Sequence, residues 1–313
     1  MNSTDKILIT GGAGLVGQNL IVHLKSTGYT NLVALDKHPA NTRILRELHP
    51  DIKVMDADLS QPGDWEQAME GVSALVILHA QIGGLHEEEF VANNVTATER
   101  VLNAARAGGV RYLVHVSSSV VRSQADDFYT RTKAAQEKLV LECPIPHVIL
   151  RPTLMFGWFD RKHLGWLARF MKKVPLYPVP GDGRFMRQPL YAKDFCNIIM
   201  ACLEEPPDGP VYDISGLEKI DYIDMMRSIR DVTGSKAHIF KIPYKLFWWL
   251  LRIYALFDRD PPFTTRQLEA LVIVEAFDVI DWPGIFGVEQ TPLDRAFDET
   301  FNDPRYGDVV LEF

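Results

Sequence analysis

The chain has 313 residues, a formal net charge of −8, 47% hydrophobic residues and three cysteines. That length exceeds one ordinary domain and falls short of two independent ones, which implies a principal domain with a smaller dependent lobe. The acidic balance argues against a nucleic-acid surface, which needs concentrated Lys and Arg. Cys143, Cys196 and Cys202 lack paired metal-ligand spacing and no His cluster accompanies them, so no metal is expected. With no basic and apolar leader at the N-terminus, the composition reads as that of a reducing, cytoplasmic protein.

The first apolar run, Lys6-Ile7-Leu8-Ile9, predicts a strand over about 6–10 that opens into Thr10-Gly11-Gly12-Ala13-Gly14-Leu15-Val16-Gly17 and a helix over about 14–27. Gly11, Gly14 and Gly17 permit a tight turn, close approach to a pyrophosphate and close packing of helix on strand. Leu15, Val16 and Gly17 begin a helix whose unpaired N–H groups face the anion. The second run, Asn31-Leu32-Val33-Ala34-Leu35, ends in Asp36, whose carboxylate can accept from both hydroxyls of an adenosine ribose. This favours NAD over NADP, because Asp36 repels a 2′-phosphate, although Lys37 and Arg43 nearby blunt the preference.

Further apolar runs at 52–55, 74–79, 111–116 and 147–150 alternate with helical spacing at about 61–70, 87–107 and 129–141. Continuous apolar strands joined by crossover helices predict an α/β fold, a doubly wound parallel sheet of the Rossmann type. Ligands of such sheets lie beyond the carboxyl ends of the strands, which places Asp58-Leu59 against the adenine and His79-Ala80 along the cofactor, with simple turn chemistry as the alternative. After Arg151-Pro152 the rhythm breaks into short elements divided by prolines, and a helix from about Lys193 to Leu203 returns to the first domain. The expected division is therefore 1–152 with about 191–204 as the dinucleotide-binding domain, and 153–190 with 205–313 as a substrate lobe.

The fifth run, Tyr112-Leu113-Val114-His115-Val116, opens into Ser117-Ser118-Ser119, and eleven residues after Ser118 stands Tyr129, followed by Lys133. Tyr and Lys at i and i+4 share a helix face. A phenol with an ordinary pKa of about 10 is a poor base at neutral pH, but an adjacent ammonium and an oxidised nicotinamide both favour its phenolate. Tyr129 is thus a candidate acid/base, and a neighbouring serine hydroxyl can polarise the same substrate oxygen.

Taken together, Thr10 through Gly17, Asp36, Asp58-Leu59, Asn94-Val95, Ser117-Ser118, Tyr129-x-x-x-Lys133 and Arg151-Pro152 through Gly157 resemble the extended short-chain dehydrogenase/reductase family, in its NAD-dependent epimerase/dehydratase branch, over about residues 1–215. The resemblance implies Tyr129 as general acid/base, Lys133 lowering its pKa and holding the nicotinamide ribose, and Asn94 supporting the active-site helix on the substrate side. It implies Ser118 in the hydroxyl role, with Ser119 as second choice, and Ser117, Arg151 and Pro152 beside the cofactor. It also implies a homodimer through a four-helix contact that includes the Tyr129 helix. Two departures stand out: Val120-Val121-Arg122-Ser123 replaces the family's usual Tyr-Gly, and the loop before Tyr129 is short, which suggests a more open cleft. Ser119-Val120 stands where sugar dehydratases need an Asp-Glu pair, so a 4,6-dehydratase is not expected.

For the substrate, Gly181 through Asp194 resembles the segment in which nucleotide-sugar enzymes grip a diphosphate with an Arg seven residues before an Asp. Arg187 has that spacing and Arg184 is a helper. The aromatic segment from Phe240 to Phe257 is interrupted by Lys241, Lys245 and Arg252 and is too short to span a bilayer, which leaves core, lid or dimer packing or peripheral membrane contact. The leading expectation is an NAD-dependent oxidoreductase or epimerase acting on a nucleotide-activated sugar. The alternatives are a 3β-hydroxysteroid dehydrogenase-like alcohol dehydrogenase and a non-catalytic NAD-binding accessory subunit similar to the atypical family member of respiratory complex I.

Overall fold

In the computed structural model, residues 1–123, 126–207, 209–257, 264–272 and 278–312 are described. The first half alternates strands and helices with few exceptions: β1 (Ile7–Thr10), α1 (Leu15–Ser26), β2 (Leu32–Asp36), α2 (Pro39–Leu48), β3 (Lys53–Asp56), β4 (Ala74–Ile77), α3 (Glu87–Phe90), α4 (Ala97–Ala107), β5 (Tyr112–Val116), α5 (Phe128–Leu141) and β6 (His147–Pro152). The second half is more broken. It comprises β7 (Met155–Phe156), α6 (Leu164–Lys173), β8 (Leu176–Pro180), β9 (Met186–Arg187), β10 (Leu190–Tyr191), α7 (Ala192–Glu204), β11 (Val211–Ile214), β12 (Ile220–Asp221), α8 (Tyr222–Thr233), β13 (His238–Ile242), α9 (Tyr244–Phe257), α10 (Thr265–Leu271), α11 (Trp282–Phe286) and α12 (Leu293–Asn302).

Seven strands form one parallel sheet in the order β11-β6-β5-β4-β1-β2-β3. Alternate side chains of each strand enter different cores, as the two-residue period of a pleat requires. Ile7, Ile9, Val76 and Val114 pack with Leu20 and Leu24 of α1 and Phe195 and Ile198 of α7, whereas Leu8, Leu75, Ile77 and Leu113 pack with Trp65, Val101, Ala105 and Val140 on the opposite face. Each fully buried Leu or Ile contributes about 1.5–3 kcal/mol of transfer free energy, so these two faces dominate the stability of the domain. A third core around Phe156, Met171, Tyr177, Met226 and Phe297 organises the lobe beside the sheet.

The fold differs from the sequence expectation in four places. The helix expected over 61–70 is a 3-10 segment, Asp64–Met69, and the one expected over 87–107 is broken by a π turn, Val91–Thr96. Helix α2, which begins on Pro39 at its first position, was not anticipated. Strand β11 pairs in parallel with β6, so Val211–Ile214 belongs to the large sheet and not to the substrate lobe. Trp282 of α11 also joins the sheet's core and donates its indole N–H to Ser215 O at 2.9 Å. The chain end returns to the same domain, where Asn41 and Glu312 exchange reciprocal hydrogen bonds of 2.8 Å.

Candidate active site

The order of the sheet reverses at β1, whose neighbours β2 and β4 lead in opposite directions, and such a switch point opens a crevice above the carboxyl ends of the strands. The glycine turn after β1 fills the floor of that crevice. A Cβ on Gly11, whose φ is +67°, would lie 2.7 Å from the His79 backbone nitrogen, and one on Gly17 would lie 2.6 Å from Gly12 Cα. These two glycines are required by backbone packing. Gly14 is different: an added Cβ would meet only Gly11 O, at 3.3 Å, and the residue is the extended N-cap of α1. No neighbour within the fold demands a glycine there, which fits a turn left bare for a ligand. The N–H groups of Leu15, Val16 and Gly17 in the first turn of α1 have no intrahelical acceptor and form the anion-binding end of that helix.

At the end of β2, Asp36 accepts from Ala13 N and His38 N, each at 3.0 Å, which turns its carboxylate toward the glycine turn. Burial raises its pKa and those N–H bonds oppose the shift. Two carboxylate oxygens offer about four lone-pair sites, so capacity remains for a ribose diol. The Lys37 ammonium is held by Asn93 Oδ1 at 2.7 Å, and Arg43 is exposed. The turn and Asp36 together fit NAD.

Other residues expected at the cofactor have different engagements. Asp58 accepts from the backbone and the hydroxyl of Ser60, at 2.9 and 2.7 Å, as a turn residue, and Leu59 is buried in the sheet's second core. His79 bridges Thr10 and Thr98 through its two ring nitrogens, at 2.8 and 3.0 Å. Burial, reinforced by the Lys133 charge, pushes its pKa down to about 3, so the ring is neutral. Ala80 follows at the partly open strand end, and Pro152 is buried at the end of β6. Ser117 donates to Glu137 Oε2 at 2.8 Å, and Arg151 grips Glu137 through Nε at 3.0 Å and through Nη2. Arg151 also lies 3.5 Å from Asp213, so its guanidinium is engaged by two carboxylates of the protein.

Helix α5 carries the candidate acid/base, Tyr129. Asp127 caps it by accepting from Thr130 N at 2.7 Å, which fixes where the first turn, with Tyr129, begins. Tyr129 is half-buried, and the Ser118 hydroxyl lies close enough to its phenol to act on its pKa, while accepting from Val120 N at 3.4 Å. Ser118 is thus the serine at the phenol, whereas Ser119 begins a 3-10 turn, Ser119–Arg122. Burial raises the Tyr129 pKa first, Ser118 opposes that, and Asp127 adds to it.

Lys133 stands one turn beyond Tyr129. Its ammonium is fully buried and donates to Val116 O at 3.0 Å and to Gln136 Oε1. Burial drives the Lys133 pKa down to about 7, with Glu137 opposing. Gln136 Nε2 in turn donates to Thr98 Oγ1 at 2.8 Å and to His79 O at 3.3 Å, joining α5, α4 and β4 in one buried network. Sequence reading missed Gln136, although it stands three residues beyond Lys133 on the same helix face.

Asn94, expected near substrate, is fully buried in the π turn. It accepts from Gln81 N at 2.6 Å and donates to Gln81 O at 3.1 Å and Thr132 Oγ1 at 3.0 Å. It locks α5 to the loop after β4 and presents no free polar end to a substrate. Arg187 is buried on β9 and donates to the carbonyls of Met186, at 3.1 Å, and Leu271, while Arg184 is exposed. Residues 124 and 125 of the short loop before Tyr129 lie outside the described residues. Val121 to Ser123 ahead of them end the 3-10 turn, which is pinned by the 2.9 Å pair of Arg122 with Asp213.

The model of the NAD dependent epimerase/dehydratase family matches residues 7–215. Among curated proteins, the chain is 27% identical over 270 residues to the uncharacterized UDP-glucose epimerase YtcB of Bacillus subtilis, covering 74% of this chain and 83% of that one. It is 27% identical over 308 residues to the 2-alkyl-3-oxoalkanoate reductase of Stenotrophomonas maltophilia, covering 85% and 89%. Among solved structures, the enzyme WbmG of Bordetella bronchiseptica in complex with NAD superposes with a TM-score of 0.74 at 18% identity, covering 99% of this chain and 98% of that one. The glycine turn, Asp36 and the Tyr129–Lys133 helix all fall within the matched span, and the chain belongs to the NAD-dependent epimerase/dehydratase family of extended short-chain dehydrogenases/reductases, with NAD as its cofactor.

Proposed function

We propose that the protein interconverts a secondary alcohol and a ketone on a nucleotide-activated sugar, with Tyr129 as the acid/base. The observation that carries this reading is the placement of Ser118, just after β5, near the phenol of Tyr129 in the first turn of α5, on the strand-end side of the sheet that also bears the glycine turn and Asp36. Bound NAD supplies the acceptor and donor of the hydride. Ser118 holds the substrate oxygen, and Tyr129 takes the hydroxyl proton in oxidation or returns it in reduction. Burial keeps the phenol protonated, the form suited to ketone reduction; oxidation requires a positive charge beside the phenol to favour its phenolate. Epimerisation follows if the ketone turns over before the hydride returns, and net reduction or dehydrogenation if it leaves.

A second reading, an apolar ketone or alcohol as substrate, is favoured by Arg187. Its guanidinium donates to the carbonyls of Met186 and Leu271, so part of the donor capacity a diphosphate would use is taken within the protein. The test is a panel of UDP- and dTDP-hexoses beside long-chain 3-oxo compounds, followed by NADH absorbance and product chromatography. Turnover of a nucleotide sugar that falls at least tenfold in kcat/KM in Arg187→Ala supports the first reading. Turnover of long-chain ketones alone, unchanged in Arg187→Ala, replaces it with the second.

A further inference from the structure

Helix α9 faces outward with an apolar stripe. Leu246, Trp249, Leu250, Ile253 and Leu256 are all exposed, Trp249 at 61% and Leu256 at 81%. At about 100° per residue these five positions fall within about 120° of the helix circumference. The half-buried residues Tyr244, Phe247, Trp248 and Leu251 occupy the other side, which packs toward α10. The helix is therefore amphipathic in an inverted sense, with its inner face served by the protein and its outer face apolar and open to the surroundings.

Charge is segregated around that stripe. From Val232 to Phe257 the chain has four cations, Lys236, Lys241, Lys245 and Arg252, and no Asp or Glu, in a protein whose net charge is −8. Lys245 and Arg252 line one edge of the stripe, both exposed, and the Arg252 guanidinium lies 5.5 Å from the centre of the Trp248 ring. Glu269 of α10 bonds the Trp248 indole N–H at 3.1 Å.

We infer that α9 is a docking helix for an anionic lipid surface, lying in the plane of the interface with Trp249, Ile253 and Leu256 in the acyl boundary and Lys245 and Arg252 at the headgroups. Exposed aromatic and aliphatic residues at helical spacing with cations at the edge are what an interfacial helix requires, and long basic side chains reach outward while their stems cover apolar surface. Fourteen residues are too few to cross a bilayer, and no helix among the described residues is long and apolar enough to do so. A second copy of the chain is the poorer occupant. Two-fold pairing of this patch sets Lys245 and Arg252 against like charges, with no carboxylate on the stripe to separate them.

The test is co-sedimentation of the full chain with vesicles of phosphatidylglycerol and phosphatidylcholine, against phosphatidylcholine alone, at low and high salt. The expected result is binding to the anionic vesicles that weakens with salt, falls about fivefold for each of Lys245→Gln and Arg252→Gln, and is lost in Trp249→Glu. Leu256→Ser, at the most exposed position, is a second variant that leaves folding untouched and should weaken binding severalfold. Absence of anionic-vesicle binding, or equal binding by wild type and variants, overturns the inference. So does a dimer in sedimentation equilibrium that Trp249→Glu dissociates while vesicle binding is undetectable.

Discussion

Helix α5 and helix α9 are both fourteen residues long and rest on the same protein, yet they are built on opposite terms. Around α5 three polar side chains face inward and are partnered: Thr132 with Asn94, Lys133 with Gln136 and Val116, Glu137 with Ser117 and Arg151. Around α9 the apolar groups face outward. A buried polar group must be satisfied or it is costly, so these contacts hold α5 in place, and such anchoring suits the acid/base role proposed for Tyr129. An exposed apolar stripe carries no such constraint. It contributes little to folding and retains its free energy for association.

The sharpest way to break this contrast is at the phenol. Tyr129→Phe removes the transferable proton while leaving the ring, and turnover should drop about a thousandfold with NAD affinity, measured by titration calorimetry, within about twofold of wild type. Next is the ion pair behind it. Glu137→Ala leaves Arg151 partly buried without its main partner and Ser117 without an acceptor, and unfolding in urea should show a loss of about 3 kcal/mol.

Lys133 sharpens the comparison through pH. Its folded pKa of about 7 lies below the ordinary 10.5, so between those values the unfolded chain holds one more proton than the folded one, and stability rises with pH. Set against Lys133→Met, wild type should gain up to about 1.4 kcal/mol per pH unit above about pH 7, with the gain complete near the unfolded pKa. A difference that stays flat from pH 6.5 to 9.5 shows that the ammonium is not desolvated as described. The smallest effect belongs to α9, where Trp249→Ser should change the unfolding free energy by no more than about 0.5 kcal/mol.

Much of this architecture could be read from residue order. Strands β1, β2, β4, β5 and β6 are largely buried and leave continuous apolar runs, and the glycine turn and Asp36 occupy the positions their chemistry demands. What escaped detection depends on contacts distant in sequence. Strand β11, Val-Tyr-Asp-Ile, follows three prolines and carries a carboxylate for Arg151 and Arg122, so its pattern does not look like a sheet interior. Arg151 and Ser117 lie where cofactor ligands are expected, and their spacing in sequence does not show that both bond Glu137. Nor does sequence spacing reveal that Asn94 reaches across 38 residues to Thr132.

That reach depends on the wide turn at Val91–Thr96, where the backbone closes over five residues instead of four. Such a turn accommodates one surplus residue in an otherwise regular coil. Deleting a single residue there would let α3 and α4 wind as one rod, but everything ahead of the deletion would swing by about 100° about the axis. The amide of Asn94 would then leave the Gln81 backbone, and the anchorage of α5 to the loop after β4 would be lost without any change to the reacting groups themselves.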